Sequence, residues 1–361
     1  MELRRLQLKN HRNYRFLDLE PGPGVNVFIG ANGQGKTNLL EAVAMLALSS
    51  SPRARRDVEL VGPVGPAAKI EAEVEAKGRR LQVSIFLDVA GDRAKRVIEV
   101  DGIRRRGFDL PGHFRVTLFW PDDLGLVKAG PDLRRRYLNQ MLVQVEPGYA
   151  RALAGLRRVL EQRNSLLKRI AAGDDDPELL EPWNVELAEY GTQISRARAA
   201  AVDELRPEAS RSHAEIADGE ALDIAYEGPP ENLLVAVQKS LSEDLRKGST
   251  SVGPHHDDLH INLDGKDARS FGSQGQQRTA VVSLKLAEAA LVARRTGERP
   301  VLLLDDVLSE LDAERRGALL RRVADAGQVI ITSVEAGPFP PDLISSSRVW
   351  TVSAGAIEAC G

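Results

Sequence analysis

Apolar residues recur with two different periods along this chain, and the changes of period divide it into three parts. Leu3 to Leu8 alternates apolar and polar positions, as a half-buried strand does. Similar runs follow at Ile70 to Val74, Leu81 to Leu87, Arg96 to Val100 and Val116 to Phe119, punctuated by Ala90-Gly91-Asp92 and Asp101-Gly102. Together they predict an antiparallel meander. The period then lengthens. Tyr149, Leu153, Leu156, Leu160, Leu167 and Ile170 fall at helical spacing, as do Trp183, Leu187, Tyr190, Ile194, Ala197, Ala201 and Leu205. Between the two sets lies a turn-rich break at 172–182, so this part predicts a short helical hairpin in which each helix buries one stripe. Beyond residue 245 strands and helices alternate again, with buried strands expected at Val301 to Leu304 and Val329 to Thr332. The expected division is 1–145 and 246–361 for the two halves of one α/β lobe, with 146–245 as an inserted helical arm.

One stretch carries specific chemistry. An apolar run from Val25 leads into Gly30-Ala31-Asn32-Gly33-Gln34-Gly35-Lys36-Thr37, and a helix-forming segment runs on from Asn38 to Leu48. Strand, glycine loop and helix in this order make a phosphate-binding loop. Glycines let backbone amides curl round an anion, and the helix N-terminus adds partial positive charge. Lys36 reaches the β and γ phosphates of ATP in this reading, Thr37 holds Mg²⁺, and Gly30 to Asn38 form the binding loop. The complementary acid follows Pro300-Val301-Leu302-Leu303-Leu304: Asp305 as the second Mg²⁺ ligand and Asp306 as the base that activates water. Thr37 and Val301 are 264 residues apart, so a large insertion separates the two halves of one site.

The 361 residues are 42% hydrophobic and 28% charged, ordinary for a globular protein. No apolar run approaches the roughly 18 residues of a membrane span. A single cysteine, Cys360, excludes an internal disulfide, and the start Met-Glu-Leu-Arg-Arg has no apolar core of a secretion signal. A cytoplasmic protein without membrane partners is expected. Net charge is −3, but its distribution is uneven: residues 134–170 hold nine Arg/Lys against two Asp/Glu, and residues 171–244 hold five against eighteen. A polyanion-facing surface is therefore expected beside an acidic one. The candidate polyanion contacts are Arg53, Arg55, Arg56, Arg104, Arg105, Arg106, Arg134 to Arg136 and the basic first helix of the arm. His255, His256, Asp257, Asp258 and His260 are alternately directed and do not suggest a metal centre.

Ser273-Gln274-Gly275-Gln276 opens a helix about 25 residues before the acidic strand. In that place it resembles the signature motif of the ABC ATPases, and Ser309 and Asp312 within Leu308-Ser309-Glu310-Leu311-Asp312 resemble their D-loop. A closer resemblance runs along the whole chain. Leu8-Lys9-Asn10-His11-Arg12-Asn13-Tyr14, Pro121-Asp122-Asp123-Leu124 to Pro131, Arg134 to Asn139 and Gly253-Pro254-His255-His256-Asp257-Asp258-Leu259 are similar to blocks of the RecF family. That family comprises bacterial recombination proteins related to SMC and Rad50. His11, Ala129, Asn139 and His256 depart from its usual residues.

The resemblance implies an ABC-type, Rad50/SMC-like P-loop ATPase head with an inserted short helical arm lobe. It implies an ATP-dependent homodimer in which each signature motif meets the partner's nucleotide. It further implies that the polyanion is gapped or junction DNA, and it gives Arg134 to Arg136 a structural role at the lobe boundary, which makes them the least suited of the candidate DNA contacts. Work with RecO and RecR to help RecA load, and slow hydrolysis that acts in release, are also implied. Asp306 in place of a longer Glu, and Thr332 where many ABC ATPases carry a histidine, are consistent with slow turnover. Alternative readings are a transporter ATPase, which needs a compact cassette, and an SMC- or Rad50-type clamp, which needs far longer coiled coils. A third is an overcoming-lysogeny-type P-loop nuclease.

Overall fold

The computed structural model describes residues 1–217, 219–324 and 326–360. Its centre is a six-stranded sheet whose strands run, edge to edge, Ala356–Ala359, Arg348–Ser353, Val25–Ile29, Val329–Ser333, Val301–Asp305 and Val116–Phe119. All are parallel except the hairpin strand Ala356–Ala359. Strands covered on both faces must be apolar at every position. Hence Val301, Leu302, Leu303 and Leu304 are all buried, with Leu303 and Ile330 in one core and Leu302 and Ile331 in another on the opposite face. Val116–Phe119 departs from the expected meander. It pairs in parallel with Val301–Asp305, Leu118 beside Leu303, because its four consecutive buried residues suit a two-sided interior and not a half-exposed sheet.

The meander itself is a second, antiparallel sheet in the order Tyr14–Leu19, Glu2–His11, Ala67–Ala76, Arg79–Ala90, Arg93–Val100, Ile103–Arg105. Its inward positions, among them Leu8, Ile70, Ile85 and Ile98, share a core with the helix Lys36–Leu48. That helix lies between the two sheets, which explains why its sequence is apolar nearly all round. Its one buried acid, Glu41, is held by two hydrogen bonds from Arg12, Nε to Oε2 at 2.8 Å and Nη2 to Oε1 at 2.9 Å.

The arm consists of helices Tyr149–Ala172 and Glu181–Ala214. The longer helix buries more than one stripe. It packs on its partner and also on the helix Gln274–Thr296 and the strand Leu222–Glu227, which pairs with Asp258–Leu263. Leu142, Leu156, Leu205, Ile224, Ile261 and Leu284 therefore belong to one core. Packing joins the arm to flanking segments on both sides.

Candidate nucleotide site

The phosphate loop leaves the central sheet at Ile29 and enters the helix at Lys36. Gly33 has φ +81° and Gly35 φ +120°, backbone angles that side chains disfavour. Gly30 is required for space, since a Cβ there would lie 2.2 Å from the Val352 carbonyl oxygen. Lys36 Nζ donates to the carbonyls of Gly30 and Ala31, so the ammonium rests inside the loop that a triphosphate would occupy. Desolvation lowers its pKa, while the nearby Asp306 and Asp305 act in the opposite direction.

Thr37 and Asp305, 268 residues apart, meet here: Thr37 Oγ1 donates to Asp305 Oδ2 at 2.9 Å. Thr332, buried in the neighbouring strand, donates to Asp305 Oδ1 at 2.7 Å and accepts the Asp306 amide at 3.1 Å. Burial raises the Asp305 pKa, opposed by the Thr332 and Thr37 hydroxyls and by Arg53 and Lys36. A hydroxyl and a carboxylate converging this closely fit Mg²⁺, which takes oxygen ligands and keeps several waters. Asp306 has φ +50°, a left-handed conformation rare outside glycine and frequent where a fold holds a functional group in place. Thr332, which stands where many ABC ATPases carry a histidine, makes contacts with both acidic residues.

Two distant segments brace the loop, and neither was legible as part of the site. Asn13 Nδ2 donates to the Gln34 carbonyl at 2.9 Å and Asn13 Oδ1 accepts from Asn38 Nδ2 at 2.8 Å. Tyr14 OH donates to the Gly35 carbonyl at 2.9 Å. From the far end of the chain, the amides of Ala354 and Gly355 donate to Gln34 Oε1 at 2.7 Å and Gln34 O at 3.0 Å. Asn13 and Tyr14 stood in a motif without an assigned role, and nothing local marks Ala354 and Gly355.

Ser273 caps the helix Gln274–Thr296 in a reciprocal box, its amide donating to Gln276 Oε1 at 2.7 Å and its Oγ accepting the Gln276 amide. Gln276 Nε2 also donates to Glu220. Asp312 accepts the Arg315 amide at 2.9 Å and pairs with Arg315 Nη1 at 3.0 Å. A Cβ on Gly275 would come 2.8 Å from that same Arg315 nitrogen. The D-loop and signature segments are therefore in contact, and the absence of a side chain at 275 makes room for the guanidinium. Ser309 Oγ donates to the Asp306 carbonyl at 2.7 Å, joining the D-loop to the acidic strand end.

The arginines separate into distinct groups. Arg53 stands at the nucleotide site: Nη1 donates to Asn38 Oδ1 at 3.3 Å and the guanidinium lies 5.8 Å from the Trp120 ring centre. Arg55 is exposed, and Arg56 lies 3.8 Å from Glu59. Arg104, Arg105 and Arg106 are exposed at the outer edge of the meander. Arg106 and Arg151, at the base of the arm, sit 5.7 and 5.6 Å from the Phe108 ring centre. Arg134 is committed to Asp258, with Nε to Oδ1 at 2.6 Å. Arg135 donates to the Asp257 carbonyl at 2.7 Å, and Arg136 to the Pro52 carbonyl. The histidine–aspartate segment is likewise engaged within the protein: His255 and His256 contact the Thr250 carbonyl, Asp257 pairs with Arg198, and His260 faces Glu227.

The family model described as the RecF/RecN/SMC N-terminal domain matches residues 2–341. The DNA replication and repair protein RecF of Moorella thermoacetica is 37% identical over 98% of this chain and 96% of its own length. That of Heliobacterium modesticaldum is 38% identical over 99% of each. A structure of the recombination mediator protein RecF with ATP in the RecFOR pathway has a TM-score of 0.90 at 34% identity, covering 99% of this chain and 97% of that one. The SMC head bound to the winged-helix domain of ScpA shares the fold, with a TM-score of 0.59 at 14% identity. No helix among the described residues is long and apolar enough to cross a membrane. With both halves of an ATP site assembled on an ABC-type head and relatives matched along nearly its full length, this chain belongs to the RecF family of SMC-like ATPases.

Proposed function

We propose that this ATPase is a DNA-binding homodimer of recombinational gap repair: ATP closes two protomers on gapped or junction DNA, and slow hydrolysis releases them. The observation that carries the reading is the joined geometry of Thr37, Asp305 and Thr332, together with the exposed, capped start of the signature helix. One protomer offers a phosphate loop and a separate anion-receiving helix end, the two components that a sandwich of two nucleotides needs. Lys36 and Thr37 hold the phosphates and, with Asp305, the Mg²⁺. Ser273, Gln274, Gly275 and Gln276 face the partner's γ-phosphate. Asp306, fixed in its left-handed conformation, orients the attacking water.

DNA enters this reading through Arg104, Arg105, Arg106 and Arg151, which expose cationic groups across the junction of meander and arm. Arg53, stacked by Trp120 beside Asn38, belongs with the nucleotide and not with DNA. Relatives named for DNA repair and for the RecFOR pathway support the further expectation that RecO and RecR are partners in loading RecA, in the cytoplasm.

The test is binding of a fluorescent gapped duplex with ATP and Mg²⁺, with ADP, and with no nucleotide, while molecular mass is followed. A DNA-bound dimer with ATP alone is expected. Ser273→Arg should keep ATP binding and native circular dichroism yet remain monomeric; unchanged dimerisation would remove the trans role of the signature. A turnover near the enzyme median of about 10 s⁻¹ would contradict slow hydrolysis.

A further inference from the structure

The last hairpin of the chain reaches the phosphate loop at Gln34 by two hydrogen bonds and lies close against Gly30. Its strands Arg348–Ser353 and Ala356–Ala359 are joined by Ala354 and Gly355, both in the left-handed region at φ +48° and +80°. Two successive residues of that kind make a tight hairpin turn. Here the turn aims two consecutive amides at one target: the Ala354 amide at Gln34 Oε1 and the Gly355 amide at Gln34 O. Asn13 Nδ2 donates to the same carbonyl, at 2.9 Å. The fit leaves no slack. A Cβ on Gly355 would lie 2.5 Å from the Asn13 carbonyl oxygen, and a Cβ on Gly30 would lie 2.2 Å from that of Val352.

We propose that the C-terminal hairpin is a positioning element for nucleotide: Ala354 and Gly355, acting through Gln34, hold the phosphate loop in the shape that receives ATP. The physical reason is entropic. A glycine-rich loop loses much conformational freedom when it closes round a phosphate, and a loop already fixed has less to lose. With its carbonyl and side chain both engaged, Gln34 is fixed before nucleotide arrives. The hairpin is in turn anchored on the central sheet, where Arg348–Ser353 runs beside Val25–Ile29 and Trp350 stacks on Phe28 at 5.9 Å. Linkage requires reciprocity: if a docked hairpin favours ATP, bound ATP must favour the docked hairpin.

The proposal rests on the phosphate-loop reading of the site, and the experiment separates the two. Equilibrium binding of a fluorescent ATP analogue with Mg²⁺ is measured for the full chain, Lys36→Ala, Gln34→Ala and Gly355→Val, alongside amide hydrogen exchange over residues 348–359. Loss of binding in Lys36→Ala tests the loop itself. Gln34→Ala, which removes one acceptor, should weaken binding about fivefold, in line with a single net hydrogen bond. Gly355→Val should weaken it further, and in both variants KM should rise with kcat nearly unchanged. Exchange at 354–355 should slow when nucleotide binds the full chain. Wild-type affinity in natively folded Gly355→Val, or exchange there indifferent to nucleotide, overturns the role of the hairpin even if Lys36→Ala abolishes binding. Should Gly355→Val fail to fold, Gln34→Ala and the exchange measurement decide alone.

Discussion

At the scale of single residues the most unusual environment outside the loop is a buried trio. Lys285 Nζ lies 3.5 Å from both Asp123 Oδ2 and Glu288 Oε2, against the Tyr137 ring and beside a cavity of about 510 Å³. One ammonium faces two carboxylates from the same interior, so one acid is forced toward its neutral form. Burial pushes Glu288 up to about 7, with the Lys285 charge opposing and the Asp123 charge reinforcing the shift. A carboxyl raised in the folded state favours folding while protonated, and that contribution disappears as pH rises from about 4.5 through 7. Glu288→Gln should therefore raise the melting temperature relative to the parent more at pH 8 than at pH 5. An equal or opposite difference would remove Glu288 as the titrating member. Thr332 offers a sharper functional test. Thr332→Val deletes the donor to Asp305 and the acceptor of the Asp306 amide while nearly preserving shape, so the Mg²⁺ requirement should rise and kcat fall several-fold, at a stability cost of about 1–3 kcal/mol for the stranded polar groups. An unchanged Mg²⁺ titration would show that Asp305 needs no orientation from that side. Only the Lys285–Glu288 pair has a helical spacing; the contacts of Lys285 with Asp123 and of Thr332 with Asp305 join residues whose separation in the chain carries no periodic signal.

Among the elements, legibility followed the strength of the local pattern. Val301–Asp305 and the loop ahead of Lys36–Leu48 were clear because chemistry and periodicity agree there. Val116–Phe119 was misplaced because four apolar residues specify burial but not the sheet that supplies it. The arm helices were found, yet the faces that bind Gln274–Thr296 were not, since an apolar stripe does not name its partner. The short helix Leu241–Lys247 illustrates what replaces periodicity. Its Asp244 is fully buried and accepts from Arg163 Nη1 of the first arm helix at 2.7 Å, while Asn184 of the second helix receives Arg163 Nε at 2.9 Å. One guanidinium thus joins three elements. Asp244→Ala leaves that charge buried and unpaired, a loss of about 3–5 kcal/mol for a broken interior pair. The expected outcome is a large fall in denaturation midpoint with the arm loosened first. A change under about 0.5 kcal/mol would mean that water replaces the carboxylate.

For the whole molecule the consequence of this architecture is that one nucleotide site draws on both ends of the chain while the proposed DNA surface draws on its middle. Arg104 to Arg106 end the meander, and Arg151 begins the arm, so these cations straddle two packed units. Family resemblance already set Arg134 to Arg136 apart from the other candidates, and the structure gives the physical difference: Arg134 is locked to Asp258, whereas the Arg104 side chain is 81% exposed with only a long 3.8 Å pair to Glu99. Exposure decides what each can do. A guanidinium already bonded to a half-buried carboxylate has little to offer a phosphate, whereas an exposed one releases a counterion when it binds DNA. Each such contact contributes about 0.9 to the slope of log affinity against log salt on a duplex. Replacing Arg104, Arg105 and Arg106 by Ala should therefore flatten the slope by about 2–3 and weaken binding to all sequences alike, since no base is read. ATP turnover without DNA should stay at the parent level. Arg53→Ala should behave in the opposite way, raising KM for ATP with the salt slope retained. If the triple variant keeps its slope and Arg53→Ala loses it, the DNA path runs across the nucleotide face, and the arm-side surface serves another partner.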